Sequence, residues 1–261
     1  MAEGALAGRG IVVTRPREQA ATLSRAIEDA GGRPILFPTI EIEPPADPGP
    51  ALEQLDRLDD FDLALFVSAN AARMAFRLMA GRRPGRQWPE KLWVAGVGPG
   101  TAAALSDAGV AQVALPSGTT DSEGLLALPA LAGARGKRVA IFRGAGGRSL
   151  LGDTLQERGA QVHYIECYVR VLGRSDPAIL FDLWRRSSIA AVVISSGEGL
   201  ANLLRLAGDA GSEYLRKTEL FVAHERVSRQ ARQLGLDLIH VAGPTDAQML
   251  GALVAYFGAP K

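Results

Sequence analysis

The chain has 261 residues, a formal net charge of +1 and a hydrophobic fraction of 47%, as expected of a soluble globular protein with one or two domains. The near-zero charge excludes a global positive field, so neither nucleic acid nor a membrane is predicted as a partner. The single cysteine, Cys167, excludes an intrachain disulfide and a cysteine metal cluster, and the three histidines show no metal-ligand spacing.

The N-terminal segment MAEGALAGRGIVV lacks the basic region and long apolar stretch of a signal peptide. No apolar run approaches the length that a membrane span requires. We therefore expect a cytoplasmic protein that uses no metal. A monomer is the default expectation.

The first part of the chain alternates short apolar runs with helical patterns. A strand is predicted at 11–14, and the following helix places Ala20, Leu23, Ile27 and Ala30 on one face. One strand is predicted from Pro34 to about Glu43, before a stiff connection rich in proline. Strands at 63–67 and 92–97 each lead into a further helix, and a short helix is predicted near 123–131.

The stretch 137–170 has the strongest local pattern. An apolar run at 139–142 precedes the turn RGAGG, a helical segment that ends at Gly159, and a second strand at 162–171. Such strand–turn–helix units bind anions at the helix N-terminus, where free N–H groups and the helix dipole favour negative charge. The glycines of the turn would let the backbone approach a ligand closely.

The same order of elements occurs twice. A shift of 128 residues places Ile11-Val12-Val13 on Val139-Ala140-Ile141, and it also superimposes Arg15 on Arg143 and Ser68 on Ser196. The identities are sparse, but the ends of the elements match in order. We interpret the chain as two homologous α/β halves, with a period too long for a solenoid.

Alternating strands and helices predict parallel sheets that are covered on both faces. Ligands of such sheets bind at the carboxyl ends of the strands. The residues there are mostly Gly, Ser, Thr and Arg: Arg15, 68–70, 98–101, 143–147, 195–198 and 224–228. Two facing sheets would give a cleft rich in hydrogen-bond donors, which suits a large polyanion without a metal.

Each candidate also has a purely structural interpretation. Arg15 and Arg143 would bind either anions or the carbonyl groups of their own turns, and Ser68 and Ser196 would cap helices. Tyr168 would be either a core residue or a weak general acid. No histidine and aspartate accompany the serines in a nucleophilic arrangement, and the glycine turn lacks the third glycine of a dinucleotide fingerprint.

Several of these segments together resemble the uroporphyrinogen-III synthase family over nearly the full length. The block at 137–170 is the most specific; the others are IVVTRP (11–16), FVSANA (66–71), VAGVGPGTAAAL (94–105), VVISSGEGLANLL (192–204) and LFVAHERV (220–227). The resemblance implies two similar doubly wound α/β domains joined by a two-stranded ladder, with the chain crossing twice. It divides the chain into 1–37 plus 173–261 and 43–163, with connecting strands at 38–42 and 164–172.

The resemblance also implies an activity, a cofactor-free hydro-lyase reaction of porphyrin biosynthesis. The family converts hydroxymethylbilane, a linear tetrapyrrole with acetate and propionate groups, into uroporphyrinogen III with inversion of ring D and loss of water. Because the free substrate closes to the uninverted isomer, such an enzyme would act by orienting the reacting groups. The small-molecule tetrapyrrole is the one partner that the resemblance implies.

Matching the family's positions residue by residue implies that Tyr168 assists departure of the hydroxyl group. The implied substrate-binding residues lie at the turns and helix starts: Arg15, Ser68, Thr101, Arg143, Gly144, Gly147, Ser196 and Ser228. The main alternative is a two-lobed binding protein without catalysis, although such proteins are usually exported. A nucleotide-dependent transferase is disfavoured because a phosphate-loop fingerprint is missing.

Overall fold

A computed structural model describes residues 4–82 and 88–259. The chain divides into two compact units. The first unit extends to Glu41 and resumes at Val171, whereas the second comprises Ile42–Arg170. None of the described helices is both long and apolar enough to cross a membrane.

The strands that the described residues form are short, except for the seventh. They are β1 Gly10–Val13, β2 Arg33–Leu36, β3 Ile40–Glu43, β4 Leu63–Phe66, β5 Trp93–Gly96, β6 Arg138–Gly144, β7 Gln161–Leu172, β8 Ile189–Ile194, β9 Glu219–Val222 and β10 Ile239–Val241. Apolar residues make up β1 and β4, which are completely buried, as in strands that are covered on both faces of a sheet.

Helices connect most of these strands. They are α1 Arg17–Asp29, α2 Gly49–Asp56, α3 Ala69–Arg82, α4 Pro99–Asp107, α5 Ser122–Leu126, α6 Pro129–Ala132, α7 Leu150–Glu157, α8 Pro177–Arg185, α9 Gly197–Leu215, α10 Glu225–Gln233 and α11 Asp246–Gly258. The helix α1 corresponds to the predicted helix with one apolar face, and α7 corresponds to the helical segment predicted before Gly159. As predicted, α7 is followed by Gly159, whose φ of +85° is readily adopted by glycine alone.

The first unit contains a parallel sheet in the order β10-β9-β8-β1-β2. The second contains the order β3-β7-β6-β4-β5, in which β7, β6, β4 and β5 are parallel. Ala114 adds an isolated parallel bridge to Ala95 in β5. The predicted fold class, two α/β units built on parallel sheets, is confirmed.

The two sheets repeat one topology. Under the 128-residue shift, β1 corresponds to β6, β2 to the start of β7, β4 to β8 and β5 to β9. The order β9-β8-β1-β2 therefore matches β5-β4-β6-β7. Each sheet takes its strands from both halves of the sequence, so neither half of the repeat is a folding unit.

The strand predicted from Pro34 to about Glu43 is divided in two, and in that respect the prediction is wrong. The strand β2 pairs with β1, whereas β3 is a neighbour of β7 in the other sheet. Between them, the N–H groups of Phe37 and Thr39 still bond to the carbonyl groups of Val13 and Thr14. The contact with the first sheet therefore extends through Thr39, and β3 begins at the next residue.

Two helical segments also differ from the predictions. The short helix predicted near 123–131 is two helices, α5 and α6. Proline is disfavoured in the interior of a helix but favoured in the first turn, so α5 ends before Pro129 and α6 begins at it. The proline-rich connection contains α2, which begins at Gly49 with a proline in its first turn.

Each sheet separates two apolar layers. In the first unit, Val12, Val192 and Val222 face one layer with Trp184, while Val13, Val193 and Phe221 face the other with α1 and α11. In the second unit the layers likewise lie on the two faces of the sheet, and Phe66 stacks on Phe142 at a centroid distance of 4.2 Å. The buried layers fix the strands and therefore the residues that follow them.

Candidate functional site

In the second unit, the predicted residues follow strands that are neighbours in the sheet. Tyr168 lies in β7, Gly144 ends β6, Ser68 follows β4, and Thr101 lies in α4 just after β5. Because parallel strands present their carboxyl ends at one edge of a sheet, this edge contains all four. The unit thus has the donor-rich edge that the sequence predicted.

Tyr168 and Ser68 are in contact, although 100 residues separate them in sequence. The phenol oxygen lies 3.2 Å from Ser68 Oγ, and either atom can be the donor. Ser68 Oγ also accepts the N–H of Ala71 at 3.0 Å, so Ser68 caps α3. The capping interpretation of Ser68 is therefore confirmed, and the same hydroxyl group also contacts the predicted catalytic residue.

The ring of Tyr168 is buried, with 2% of the residue exposed. It lies against the backbone of Gly144, where an added Cβ would approach Cζ of the ring to 2.6 Å. The carbonyl oxygen of Tyr168 accepts the N–H of Ala145 at 2.8 Å. A glycine at position 144 is thus required for the packing of the Tyr168 ring, independently of any contact between this backbone and a ligand.

Arg143 is buried and binds the turn that follows it. Its Nε donates to the carbonyl of Gly144 at 3.2 Å, and its NH2 donates to the carbonyl of Gly147. An added Cβ on Gly147 would lie 3.0 Å from that guanidinium. Glu166 lies 3.7 Å from Nε, and the guanidinium also stacks 4.7 Å from the ring centroid of Tyr164. These contacts agree with the structural interpretation of Arg143, in which the guanidinium binds the carbonyl groups of its own turn.

The turn itself retains free donors. The N–H groups from Gly146 to Ser149 have no hydrogen-bond acceptor among the described residues. Since a peptide N–H points opposite to the preceding carbonyl, the bond from Arg143 to the Gly147 carbonyl directs the N–H of Arg148 away from the guanidinium. Gly146 has a φ of +71°, which curves the turn. Successive free N–H groups in such a turn can bind an anion.

Thr101 is almost completely buried, with 3% of the residue exposed, in the first turn of α4. Its backbone N–H donates to Gly98 at 3.0 Å. Its methyl group lies where a Cβ on Gly96 would come within 3.1 Å. The hydroxyl group of Thr101 has no hydrogen-bond partner among the residues that the structure describes.

Cys167 precedes Tyr168, and both residues belong to the same buried apolar layer. The side chain is completely buried, and burial raises the pKa of the thiol to about 12. A neutral thiol at this position is a poor nucleophile. Cys167 is therefore a small core residue and is unsuited to take part in catalysis.

In the first unit, Arg15 follows β1 and is already paired. Its Nε donates to Ser195 Oγ at 2.6 Å, and its NH1 forms an ion pair with Asp246 in the first turn of α11. The carboxylate thus occupies the cationic group that the sequence predicted for anion binding. No local pattern in the sequence indicates Asp246, because it lies 231 positions from Arg15.

Ser196 and Ser228 lie at two different helices of this unit. Ser196 Oγ accepts the N–H of Gly199 at 3.0 Å and caps α9, which is the structural interpretation of this serine. Ser228 is completely buried in α10, and its Oγ has no hydrogen-bond partner among the described residues. Gln230 connects the two helices by donating to the carbonyl of Gly197 at 3.2 Å, a contact that the sequence did not indicate.

The described residues contain no group of three or more His, Cys, Asp or Glu side chains that could hold a metal ion. The donors at these strand ends are instead backbone N–H groups and hydroxyl groups. Such donors stabilise carboxylates and other oxyanions without a metal. The chemistry that they support is the binding of an anion beside a buried phenol.

The chain is similar to known proteins over most of its length. The family model described as uroporphyrinogen-III synthase HemD matches residues 21–251. The uroporphyrinogen-III synthase of Escherichia coli (strain K12) is 35% identical over 241 residues, which cover 92% of this chain and 97% of that protein. The corresponding enzyme of Salmonella typhimurium is 34% identical with the same coverage.

A solved structure shares the fold. A mutant of the uroporphyrinogen III synthase of Thermus thermophilus has a TM-score of 0.57 at 20% identity, over 93% of this chain and 96% of that chain. On the strength of the match over 21–251 and the identity to the bacterial relatives, the chain belongs to the uroporphyrinogen-III synthase family.

Proposed function

We propose that this protein converts hydroxymethylbilane into uroporphyrinogen III, with inversion of ring D and release of water. Membership of the family supports the reaction class. The observation that carries the proposal is the contact between Tyr168 and Ser68, which holds a phenol at the carboxyl edge of the second sheet. A phenol in that position can donate a proton to a leaving hydroxyl group.

The proposed reaction begins when Tyr168 transfers its proton to the hydroxyl group on ring A. The carbon–oxygen bond breaks, water leaves with the bonding electrons, and an azafulvene cation remains. Ring D attacks this cation through its substituted carbon and gives a spiro intermediate, which fragments and closes again. The proton that the closed macrocycle loses restores the phenol, so protons balance over one turnover.

Proton donation alone does not select the inverted product, because the same cation also closes to the uninverted isomer. Selection requires that the substrate is held with the substituted carbon of ring D closest to the cation. Interactions with the acetate and propionate groups, which do not react, can supply the necessary binding energy. The proposed contacts are therefore those that recognise carboxylates.

In the second unit, we assign this binding to the free N–H groups of the turn that Gly144 and Gly147 form, with the hydroxyl group of Thr101. Arg143 supports that turn by binding its carbonyl groups. In the first unit the proposed contacts are Arg15, Ser196 and Ser228. The Oγ of Ser228 has no hydrogen-bond partner among the described residues. Arg15 is already paired with Asp246, so a ligand carboxylate would have to compete with that aspartate.

We also propose two domains, a discontinuous one of 1–37 with 173–261 and a continuous one of 43–163. The division of the chain into compact units changes at Glu41 and Ile42 within β3, and again at Arg170 and Val171 within β7. Limited proteolysis tests this proposal. A cut within 43–163 places 1–37 and 173–261 on different fragments, and the two fragments should stay associated because these stretches fold together as the first domain.

The function is tested by supplying hydroxymethylbilane to the purified protein and separating the oxidised products by isomer. An excess of isomer III over the spontaneous isomer I is expected. Isomer I alone, formed at the uncatalysed rate, would reject the proposal and favour the alternative, a binding protein without catalysis.

The role of Tyr168 is tested by Tyr168→Phe, which removes the phenolic hydroxyl group and its proton but keeps the aromatic ring. We expect a decrease in kcat of about 10²–10⁴-fold, typical of the loss of a general acid, with little change in KM. Tyr256→Phe is the matched control, since that exposed phenol donates to Glu219 in the other unit. Equal rates for Tyr168→Phe and the wild type would exclude proton donation by Tyr168.

A further inference from the structure

The cap of α3 and the phenol of Tyr168 form one chain of hydrogen bonds. Ala71 donates its N–H to Ser68 Oγ at 3.0 Å, and Ser68 Oγ lies 3.2 Å from the phenol oxygen. The phenol therefore lies at the N-terminal end of a helix of 14 residues, with a single side chain between them. This arrangement gives Ser68 a role beyond helix capping.

The directions of these bonds follow from the donor count. A serine hydroxyl has one proton and two lone pairs, and the N–H of Ala71 uses one lone pair. Among the described residues, the phenol oxygen of Tyr168 is the one acceptor within reach of the Ser68 proton. When Ser68 donates to Tyr168, the phenol proton is free for a third group.

The same chain favours the charge that forms when the phenol loses its proton. A hydroxyl that accepts a backbone N–H becomes a stronger donor, because hydrogen bonds in series polarise one another. The N-terminal end of α3 carries partial positive charge, which also favours a negative oxygen nearby. Both effects stabilise the phenolate more than the neutral phenol, so they assist proton donation.

We propose that Ser68 is a positioning residue for proton transfer from Tyr168: it fixes the phenol oxygen and donates to the phenolate that the transfer leaves. The sequence had implied that Ser68 binds substrate. This inference rests on the proposed function, because it assumes that Tyr168 donates its proton to the departing hydroxyl. Ser68 then acts on the reaction through Tyr168 and needs no contact with the reacting atoms.

The internal repeat shows what is particular to this serine. Ser196 corresponds to Ser68 and caps α9 in the same way, through the N–H of Gly199 at 3.0 Å. The residue that corresponds to Tyr168 is Ile40, which has no hydroxyl group. The first unit therefore has the helix cap without the phenol, and Ser196 provides an internal comparison.

The test compares kcat and KM for Ser68→Ala, Ser68→Thr and Tyr168→Phe. We expect Ser68→Ala to decrease kcat by about 10–100-fold, as for the loss of one donor to a developing oxyanion, with KM changed less than about twofold. Ser68→Thr keeps a hydroxyl at the cap and should recover most of the rate. Ser68→Gly also removes the hydroxyl but preserves a favourable cap, so it replaces Ser68→Ala if that variant folds poorly.

The decisive measurement is the double variant Ser68→Ala/Tyr168→Phe. If Ser68 acts through the phenol, the double variant is no slower than Tyr168→Phe alone. For comparison, the fold-decreases in kcat of Ser196→Ala and Tyr168→Phe should multiply in their double variant, whatever the size of the Ser196→Ala effect. Asp176→Ala removes the cap of α8 outside the proposed site, and its kcat should equal that of the wild type.

Three results would overturn the proposal. A raised KM with unchanged kcat for Ser68→Ala would mean that Ser68 contacts the substrate. Multiplicative effects of Ser68→Ala and Tyr168→Phe would mean that the two residues act independently. Full activity of Ser68→Ala, together with a slow Tyr168→Phe, would reject the role of Ser68 but not that of Tyr168. A wild type that gives no excess of isomer III would instead reject the proposed function itself.

Discussion

Arg15 forms an ion pair with Asp246, which lies 231 residues further along the chain. The side chains are 12% and 27% exposed, so the pair is largely removed from water. Ser195 occupies the Nε of the same guanidinium. An arginine held in this way is oriented before any ligand arrives, and a ligand carboxylate at NH1 would have to compete with Asp246.

Asp246→Asn should destabilise the first unit, because it leaves a largely buried guanidinium without a counter-charge. We expect a loss of about 1–3 kcal/mol in the free energy of unfolding, less than the value for a fully buried pair. The measurement is urea unfolding of Asp246→Asn, Arg15→Met and the double variant.

The double variant should lose less than the sum of the two single losses, since it has no unpaired charge. Asp237→Asn changes an exposed aspartate and should stay within about 0.5 kcal/mol of the wild type. Strictly additive losses would mean that the pair contributes nothing to stability as a pair.

Gly144→Ala should disturb Tyr168, because the new Cβ would lie 2.6 Å from the ring. The ring and the backbone of β6 cannot both keep their positions, so we expect a loss of about 1–3 kcal/mol in unfolding free energy. The phenol oxygen would also move relative to Ser68, which should lower kcat more than it changes KM.

Gly133→Ala is the matched control for Gly144→Ala, because an added Cβ meets nothing within 4 Å there and its φ of −94° suits alanine. Unfolding free energy and kcat are measured for both variants. A Gly144→Ala protein as stable and active as Gly133→Ala would mean that the ring of Tyr168 can move without consequence.

The elements could largely be predicted from the sequence, whereas their pairing could not. Local patterns suffice for a strand such as β6, which is an apolar run before a glycine turn, and for a helix such as α1, which has one apolar face. The assignment of β2 and β3 to different sheets depends on partners in β1 and β7. No periodicity near Pro38 encodes those distant partners.

The candidate site shows the same limit. The residue types at the strand ends were readable, and so was the alternative for Arg143, which binds the carbonyls of its own turn. Which side chains meet was not readable, because the contact between Ser68 and Tyr168 depends on β4, β6 and β7 lying side by side. The same holds for Asp246, which reaches Arg15 from a helix near the end of the chain.

Cys167 should be unreactive in the folded protein. Its thiol is buried and has a pKa of about 12, so at about pH 8 only about one molecule in ten thousand would be a thiolate. A chromogenic thiol reagent should therefore label the native protein at the rate of unfolding, and should label it at once in strong denaturant. Rapid stoichiometric labelling of the native protein would contradict the burial of this side chain.

His163 should make the second unit less stable in mild acid. Burial, followed by the positive charges of Arg138 and Arg57, lowers the pKa of His163 below its ordinary value of 6.5. The unfolded chain then binds a proton at a higher pH than the folded one, so the stability that is present above pH 6.5 decreases as the pH falls toward the folded-state pKa.

His163→Gln isolates this contribution, because glutamine keeps a polar side chain beside the ring of Phe61 but does not titrate. The free energy of unfolding is measured from about pH 7.5 to about pH 5 for the wild type and the variant. The wild type should lose more stability than His163→Gln over this range, whereas the exposed His224, replaced in the same way, serves as the control. Parallel curves for the wild type and His163→Gln would mean that the folded protein accepts a proton on His163 as readily as the unfolded chain does.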